Sequence, residues 1–220
     1  MKQERKRLCL SLEHGLTAYA LAASAAGVGM LVLAQRADAK VIYTPAHVSI
    51  RGDSLPYWLD LNHDGIADFK LRNWLARGAS SSWNSVSVAS PMKGKNGVEA
   101  ARGKFRTYAD ALVQGISIGS KPPFDSFAMM IASGNQGPWY KVTNSYLGLK
   151  FQIKGKYHYG WARLKVQGRY DRIVATLTGY AYETVPNKPI ITGKTKGPDV
   201  VTIQSGSLGA LAAGASRLQK

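Results

Sequence analysis

The stretch LGLKFQIKGKYHYGWARLKV, residues 147–166, decides the fold. Leu147, Leu149, Phe151 and Ile153 alternate with Gly148, Lys150, Gln152 and Lys154. Gly155-Lys156 then turns the chain, and a second alternating run follows from Tyr157 to Val166. Side chains that repeat every second residue share one face of a strand, so this pattern is a β-hairpin and not a helix. A third run, Ile173 to Tyr182, comes after the polar turn Gly168 to Arg172 and extends the hairpin to a three-stranded meander.

Working back towards the N-terminus, period-two runs also mark Val41 to Ile50, Ala67 to Leu75, Ser85 to Ala89 and Phe127 to Ala132. Ser-rich and Gly/Lys-rich connections, Gly78 to Ser82 and Lys93 to Gly97, read as exposed loops. One short helix is expected around Tyr108 to Gln114, and no repeat recurs at a fixed period. Many short strands with turns at this spacing predict an all-β fold: an antiparallel β-sandwich, jelly-roll or lectin-like, preceded by a signal-peptide helix. The sandwich domain is expected over residues 40–192. Residues 193–220 read as a polar linker with a short flexible tail, because Gly193 to Pro198 is polar and the apolar run Leu208 to Ala215 is far too short to span a bilayer.

The first 39 residues carry a basic patch (Lys2, Arg5, Lys6, Arg7), an apolar run from Leu16 to Ala34, and the small-residue site Ala37-Asp38-Ala39. That order predicts a secretory signal peptide cleaved after Ala39. The expected location is secreted, cell-surface or periplasmic, with no membrane span after cleavage. The single cysteine, Cys9, leaves with the signal, so a core or a metal must hold the mature domain without disulfides. The full chain carries 29 Lys and Arg against 13 Asp and Glu. Removing the signal takes five of the former and three of the latter and leaves a charge of +14. Such an excess favours an acidic polysaccharide or an anionic envelope surface, and export sets nucleic acid aside as a partner. A solubility role for the charge accounts for the composition equally well.

The segment Asp60-Leu61-Asn62-His63-Asp64-Gly65-Ile66-Ala67-Asp68 places side-chain oxygens at loop positions 1, 3, 5 and 9, with Gly at position 6. Calcium takes six to eight oxygen ligands, and alternate residues of a tight loop can point at one centre. The expected ligands are Asp60, Asn62, Asp64, the backbone carbonyl of Ile66, and Asp68. Position 12, where a helix-loop-helix site carries a bidentate Glu, is Leu71, and Phe69-Lys70-Leu71 alternates like a strand. The loop therefore resembles the calcium loops between strands in integrin-type propellers and thrombospondin repeats, which implies a stabilising Ca2+. A run of metal-free Asx turns is the competing reading, since Asp and Asn readily bond their own backbone.

In the strand Tyr157 to Val166, one face carries Tyr157, Tyr159, Trp161, Arg163 and Lys165, and the other carries His158, Gly160, Ala162, Leu164 and Val166. The second face reads as core, with His158 a hydrogen-bonded core histidine. The first, joined by Tyr180 and Tyr182 of the next run, is a candidate stacking platform for a carbohydrate or anionic polymer. The same rings could instead pack under a second sheet.

No catalytic set is legible, and the chain is expected not to be an enzyme. Gly115-Ile116-Ser117-Ile118-Gly119 matches the G-x-S-x-G string of serine hydrolases, but Pro122-Pro123 forbids the helix that a nucleophile elbow needs. Gly193-Lys194-Thr195 lacks the earlier glycine of a phosphate loop, since that position is Lys188. Glu99 and Glu183 are the only glutamates after the signal, and they keep an extracellular polysaccharide hydrolase open as an alternative. A structural envelope or adhesion component is a third reading.

Three segments together (Leu10 to Ala39, Leu59 to Phe69, and Tyr157 through Glu183 to Ile190) resemble uncharacterised secreted bacterial proteins of the acidobacterial type. The resemblance implies a secreted β-sandwich and carries over no catalytic residue.

Overall fold

Alternation of apolar and polar side chains produces strand after strand. The computed structural model describes residues 40–203 apart from 53, 79–81, 92–94, 103–106, 133–135 and 169–171. The expected signal peptide and the apolar run near the C-terminus lie outside the described residues. In chain order the strands are β1 (Val41–Arg51), β2 (Tyr57–Leu59), β3 (Phe69–Arg77), β4 (Ser82–Ala89), β5 (Gly97–Arg102), β6 (Thr107–Ala109) and β7 (Ser117–Ile118). They continue with β8 (Phe124–Asp125), β9 (Phe127–Ala132), β10 (Ser145–Ile153), β11 (Lys156–Gln167), β12 (Val174–Glu183), β13 (Ile190–Ile191) and β14 (Val200–Thr202). Among the described residues there is no helix. None, therefore, is long and apolar enough to cross a membrane.

Twelve strands form one sheet in the order β14-β1-β12-β11-β10-β5-β6-β9-β4-β3-β2, with β8 paired to β5. Most pairings are antiparallel, as expected, but β1 with β14 and β6 with β9 are parallel, so the sheet is mixed. The meander β10-β11-β12 is present, with β10-β11 in unbroken register and one bulge in β11-β12 between Arg163 and Leu164. Its first turn falls on Lys154-Gly155, one residue earlier than the sequence suggests, and both residues have positive φ, 49° and 77°. Two central residues of that kind match the twist of the flanking strands.

The sheet curls until its ends meet, which makes the fold sandwich-like. The side-chain amide of Asn73 on β3 donates to the carbonyls of Ile50 (3.2 Å) and Ile173 (2.7 Å), tying one end of the strand order to the other. Inside the curl lies the main core, where Phe69, Leu71, Val86 and Val88 of one half face Leu147, Leu149, Leu164 and Leu177 of the other. A second, smaller cluster lies on the outer face of β10-β12. There Tyr159, Trp161, Tyr146 and Ala181 are capped by Ile118 and Ile190, the paired residues of the two-stranded sheet β7-β13.

Two expectations are corrected. The segment 108–114 is not helical: Thr107–Ala109 is β6, and Leu112 bridges to Tyr146 by two backbone bonds of 3.0 and 2.9 Å. A ladder partner from 34 residues away overrides a weak helical propensity. The sheet also continues past residue 192, since Val200–Thr202 pairs with Val41–Tyr43.

Candidate functional site

The loop Asp60 to Asp68 is the turn of the β2-β3 hairpin, whose last strand pair is Leu59 with Phe69. Leu61 is fully buried and anchors the loop, its Cδ2 lying 3.2 Å from where a Cβ on Gly160 would sit. The chain reverses through His63 (φ 61°) and Gly65 (φ 86°), in the left-handed region that glycine adopts at no steric cost. His63 reaches Thr44 Oγ1 at 2.8 Å through Nε2 and sets its ring 5.8 Å from that of Tyr180.

The oxygens are held by short-range bonds within the loop. The Asp60 carboxylate accepts the N–H groups of Asp64 (3.3 Å) and Gly65 (2.8 Å). Asp64 accepts the Ile66 N–H (2.9 Å) and the Asn62 amide (2.8 Å), and Asp68 accepts the Leu61 N–H (2.9 Å). Asn96 donates to the Asp68 carbonyl at 3.1 Å and accepts from the Gln152 N–H, so the loop's end is pinned to β10. These are the bonds that Asx turns make, and among the described residues no three His, Cys, Asp or Glu side chains already converge as a metal cage. Two observations nonetheless fit a hard cation. Asn62 Oδ1 is buried without a hydrogen-bond partner, and an ionised carboxylate carries about four acceptor sites, so the three Asp side chains retain capacity.

Negative potential is concentrated here despite the basic chain. Burial raises Asp68 to about 7, against the bonds from Leu61 and Asn96, and the Asp60 and Asp64 charges push the same way. Burial also raises Tyr182, helped by Asp60, Asp64 and Asp68, and raises Tyr180 to about 12, with smaller contributions from Tyr57 and Asp60.

The candidate stacking residues do not form one platform. Tyr159 and Trp161 are 2% and 0% exposed beneath the β7-β13 layer, and Trp161 meets Tyr146 edge-on at 5.3 Å. Tyr157 is half-buried with Lys150 Nζ 5.1 Å over its ring, and Arg163 donates to Thr178 Oγ1 at 2.8 Å. Tyr180 and Tyr182 pair with Ala162 and Gly160, which puts them on the opposite face of the sheet, against the main core and beside the loop. The wet reading of Tyr159 and Trp161 is thereby corrected, because strands whose paired residues Ile118 and Ile190 are 72 positions apart in the chain fold down to cover them.

Exposed rings occur elsewhere. The outer face of β2-β3-β4-β9 carries Trp58, Trp74 and Phe127, 52%, 54% and 49% exposed. Lys70 Nζ lies 5.3 Å over Trp58, and the Arg72 guanidinium lies 5.7 Å over Trp74. Alternation inside Phe69-Lys70-Leu71-Arg72 was the available signal, since Phe69 and Leu71 must face the core and so aim Lys70 and Arg72 outward.

Of the two glutamates, Glu183 is structural: it accepts the Val185 N–H and pairs with Lys188 at 3.3 Å. His158 is the expected core histidine, bonded to the Glu183 carbonyl at 2.9 Å. The G-x-S-x-G serine lies on β7, a strand and not an elbow. Glu99 is buried over Gly148, where a Cβ would sit 2.5 Å from its Oε2, and that oxygen lacks a partner. Burial, then the Asp110 charge, lifts it from 4.5 to about 7. A folded-state value above the unfolded one means protons bind more tightly to the native state, so stability is fully present below about pH 4.5 and falls as pH rises through 7. Glu99→Gln is expected to melt a few degrees above wild type at pH 8 and level with it at pH 4. Parallel melting curves at both pH values would refute this.

Comparison with family profiles, curated proteins and solved structures finds no match to this chain.

Proposed function

We propose that this chain is an exported, calcium-stabilised, non-enzymatic β-domain that binds carbohydrate or an anionic polymer at the cell surface. The observation that carries the binding reading is the pairing of exposed indoles with cations on one open sheet face, Lys70 with Trp58 and Arg72 with Trp74. Burying a tryptophan is favourable, so two rings left half in water on one side of a sheet are surface available to a ligand. Aromatic faces cover the apolar faces of sugar rings, and the positive charge suits acidic substituents.

At the hairpin loop, Asp60, Asn62, Asp64 and Asp68 with the Ile66 carbonyl are the residues that would hold calcium. Bound there, the ion would supply positive charge among three carboxylates, and Asn62 Oδ1, which lacks a hydrogen-bond partner, would be free to ligate it. Placed between β2 and β3, the loop sets the registry of Trp58 against Lys70.

The test is retention of the full chain on immobilised polysaccharides of varied charge. Retention without release of reducing ends is the expected result, and passage through every column would end the binding reading. Release of reducing ends that is lost in Glu99→Gln would move the assignment to a polysaccharide hydrolase.

A further inference from the structure

The outer faces of the two halves of the curled sheet differ. Over β10-β12 the outer face is roofed by Ile118 and Ile190. Over β2-β3-β4-β9 the described residues provide no such roof, and the face forms a shallow concavity of about 460 Å³. Its floor is made of small side chains, Ser85, Ser87 and Ala89, contributed by every second residue of β4. Lys70, Arg72 and Trp74 line one side along β3, Phe127 of β9 stands on the other, and Trp83 stands at one end of the β4 row. Strand pairing dictates this grouping: Arg72 lies opposite Ser87, Trp74 opposite Ser85, Ala89 opposite both Lys70 and Phe127. None of the described lining residues is acidic.

We propose that this concavity is the binding site for a linear polysaccharide whose sugar units carry carboxylate or sulfate groups. The assignment deepens the function proposed above and rests on it. Each part of the face matches one part of such a ligand. Sugar rings present an apolar face that stacks on Trp74 within the concavity and on Trp58, next to Lys70 at its edge. Ring hydroxyls find both donors and acceptors in the Ser85 and Ser87 hydroxyls at the floor. Lys70 and Arg72, two residues apart on one strand and so about 7 Å apart, place two positive charges in a row along the groove. An exposed cation over a ring is held less strongly than a charge-assisted hydrogen bond to an anion holds it, so both cations can turn to the ligand while the rings take the sugars. A neutral glycan would leave Lys70 and Arg72 unused, and a flexible acidic peptide would leave the rings unused.

The full chain is titrated against dextran sulfate, polygalacturonate, uncharged dextran, polyglutamate and oligo(dT). Dextran sulfate and polygalacturonate are expected to bind about tenfold or more tighter than dextran, through charge-assisted contacts. Trp74→Ala and Arg72→Ala are each expected to weaken binding about tenfold, the loss of one stacking or one charged contact, with melting temperatures close to wild type. Lys121→Ala, which removes an exposed cation elsewhere, is expected to leave binding unchanged. Polyglutamate or oligo(dT) binding as tightly as the charged polysaccharides would overturn the ligand class. Charged-polysaccharide binding that survives both Trp74→Ala and Arg72→Ala, or falls equally in Lys121→Ala, would overturn the site and leave the proposed function standing. Binding to none of the polymers would end both.

Discussion

The full chain in millimolar calcium is expected to unfold about 5–10 °C above the same protein in chelator. A ligand present at a hundred times its dissociation constant stabilises the native state by about 2.7 kcal/mol, and for a domain of this size each kcal/mol moves the midpoint by about 2–4 °C. Asp64→Asn separates the ion from the turn. The substitution keeps an oxygen to accept the Ile66 N–H but removes one of three neighbouring charges. It should abolish the calcium increment while leaving the protein in chelator as stable as wild type or slightly more so, because burial still raises Asp68 but the Asp64 charge that adds to it is removed. Differential scanning calorimetry of both proteins in both buffers decides the matter. Coincident wild-type curves would mean that the loop is a set of Asx turns with no ion.

Trp161→Ala is expected to cost about 3–5 kcal/mol, the range for emptying a buried aromatic site. Trp161 is fully buried, edge-on to Tyr146 and tilted 5.8 Å from Tyr43, so truncation opens a cavity between the sheet and its β7-β13 cover. Trp161→Phe should cost much less, because most of the ring contact persists and the indole N–H, which has no partner, is removed. Trp74→Ala, on the open half, should stay within about 1 kcal/mol, the worth of an exposed cation–ring contact. Urea denaturation of the three variants tests the division between structural and ligand-facing tryptophans. Equal losses for Trp161→Ala and Trp74→Ala would erase it.

Much of the fold was legible because strand alternation is local. Phe127 to Ala132 coincides with β9, and the meander ends fall within two residues of the runs read at 147–153, 157–166 and 173–182. Short elements escaped, since β2, β7, β8 and β13 have two or three residues each, too few for a period to register, and β5 escaped because its successive residues Val98, Glu99 and Ala100 are all buried and do not alternate. The turn chemistry of the Asp60 to Asp68 loop was legible for the same local reason, since its carboxylates bond to N–H groups two to seven residues away.

By itself, then, the sequence determined that residues 40–203, as far as they are described, are all-β, where the central meander runs, and that Asp60, Asn62, Asp64 and Asp68 share one turn between strands. Tertiary structure alone decided which aromatic rings are wet. Alternation separates the two faces of Tyr157 to Val166 but is silent on what lies above either one. The answer depends on Ile118 and Ile190, each distant in the chain, closing over Trp161, and on three separate strands bringing Trp58, Trp74 and Phe127 onto a face that the described residues leave unroofed. Sheet order and cover are non-local properties, set by which surfaces find each other as the chain collapses, and a period of two residues carries no record of them.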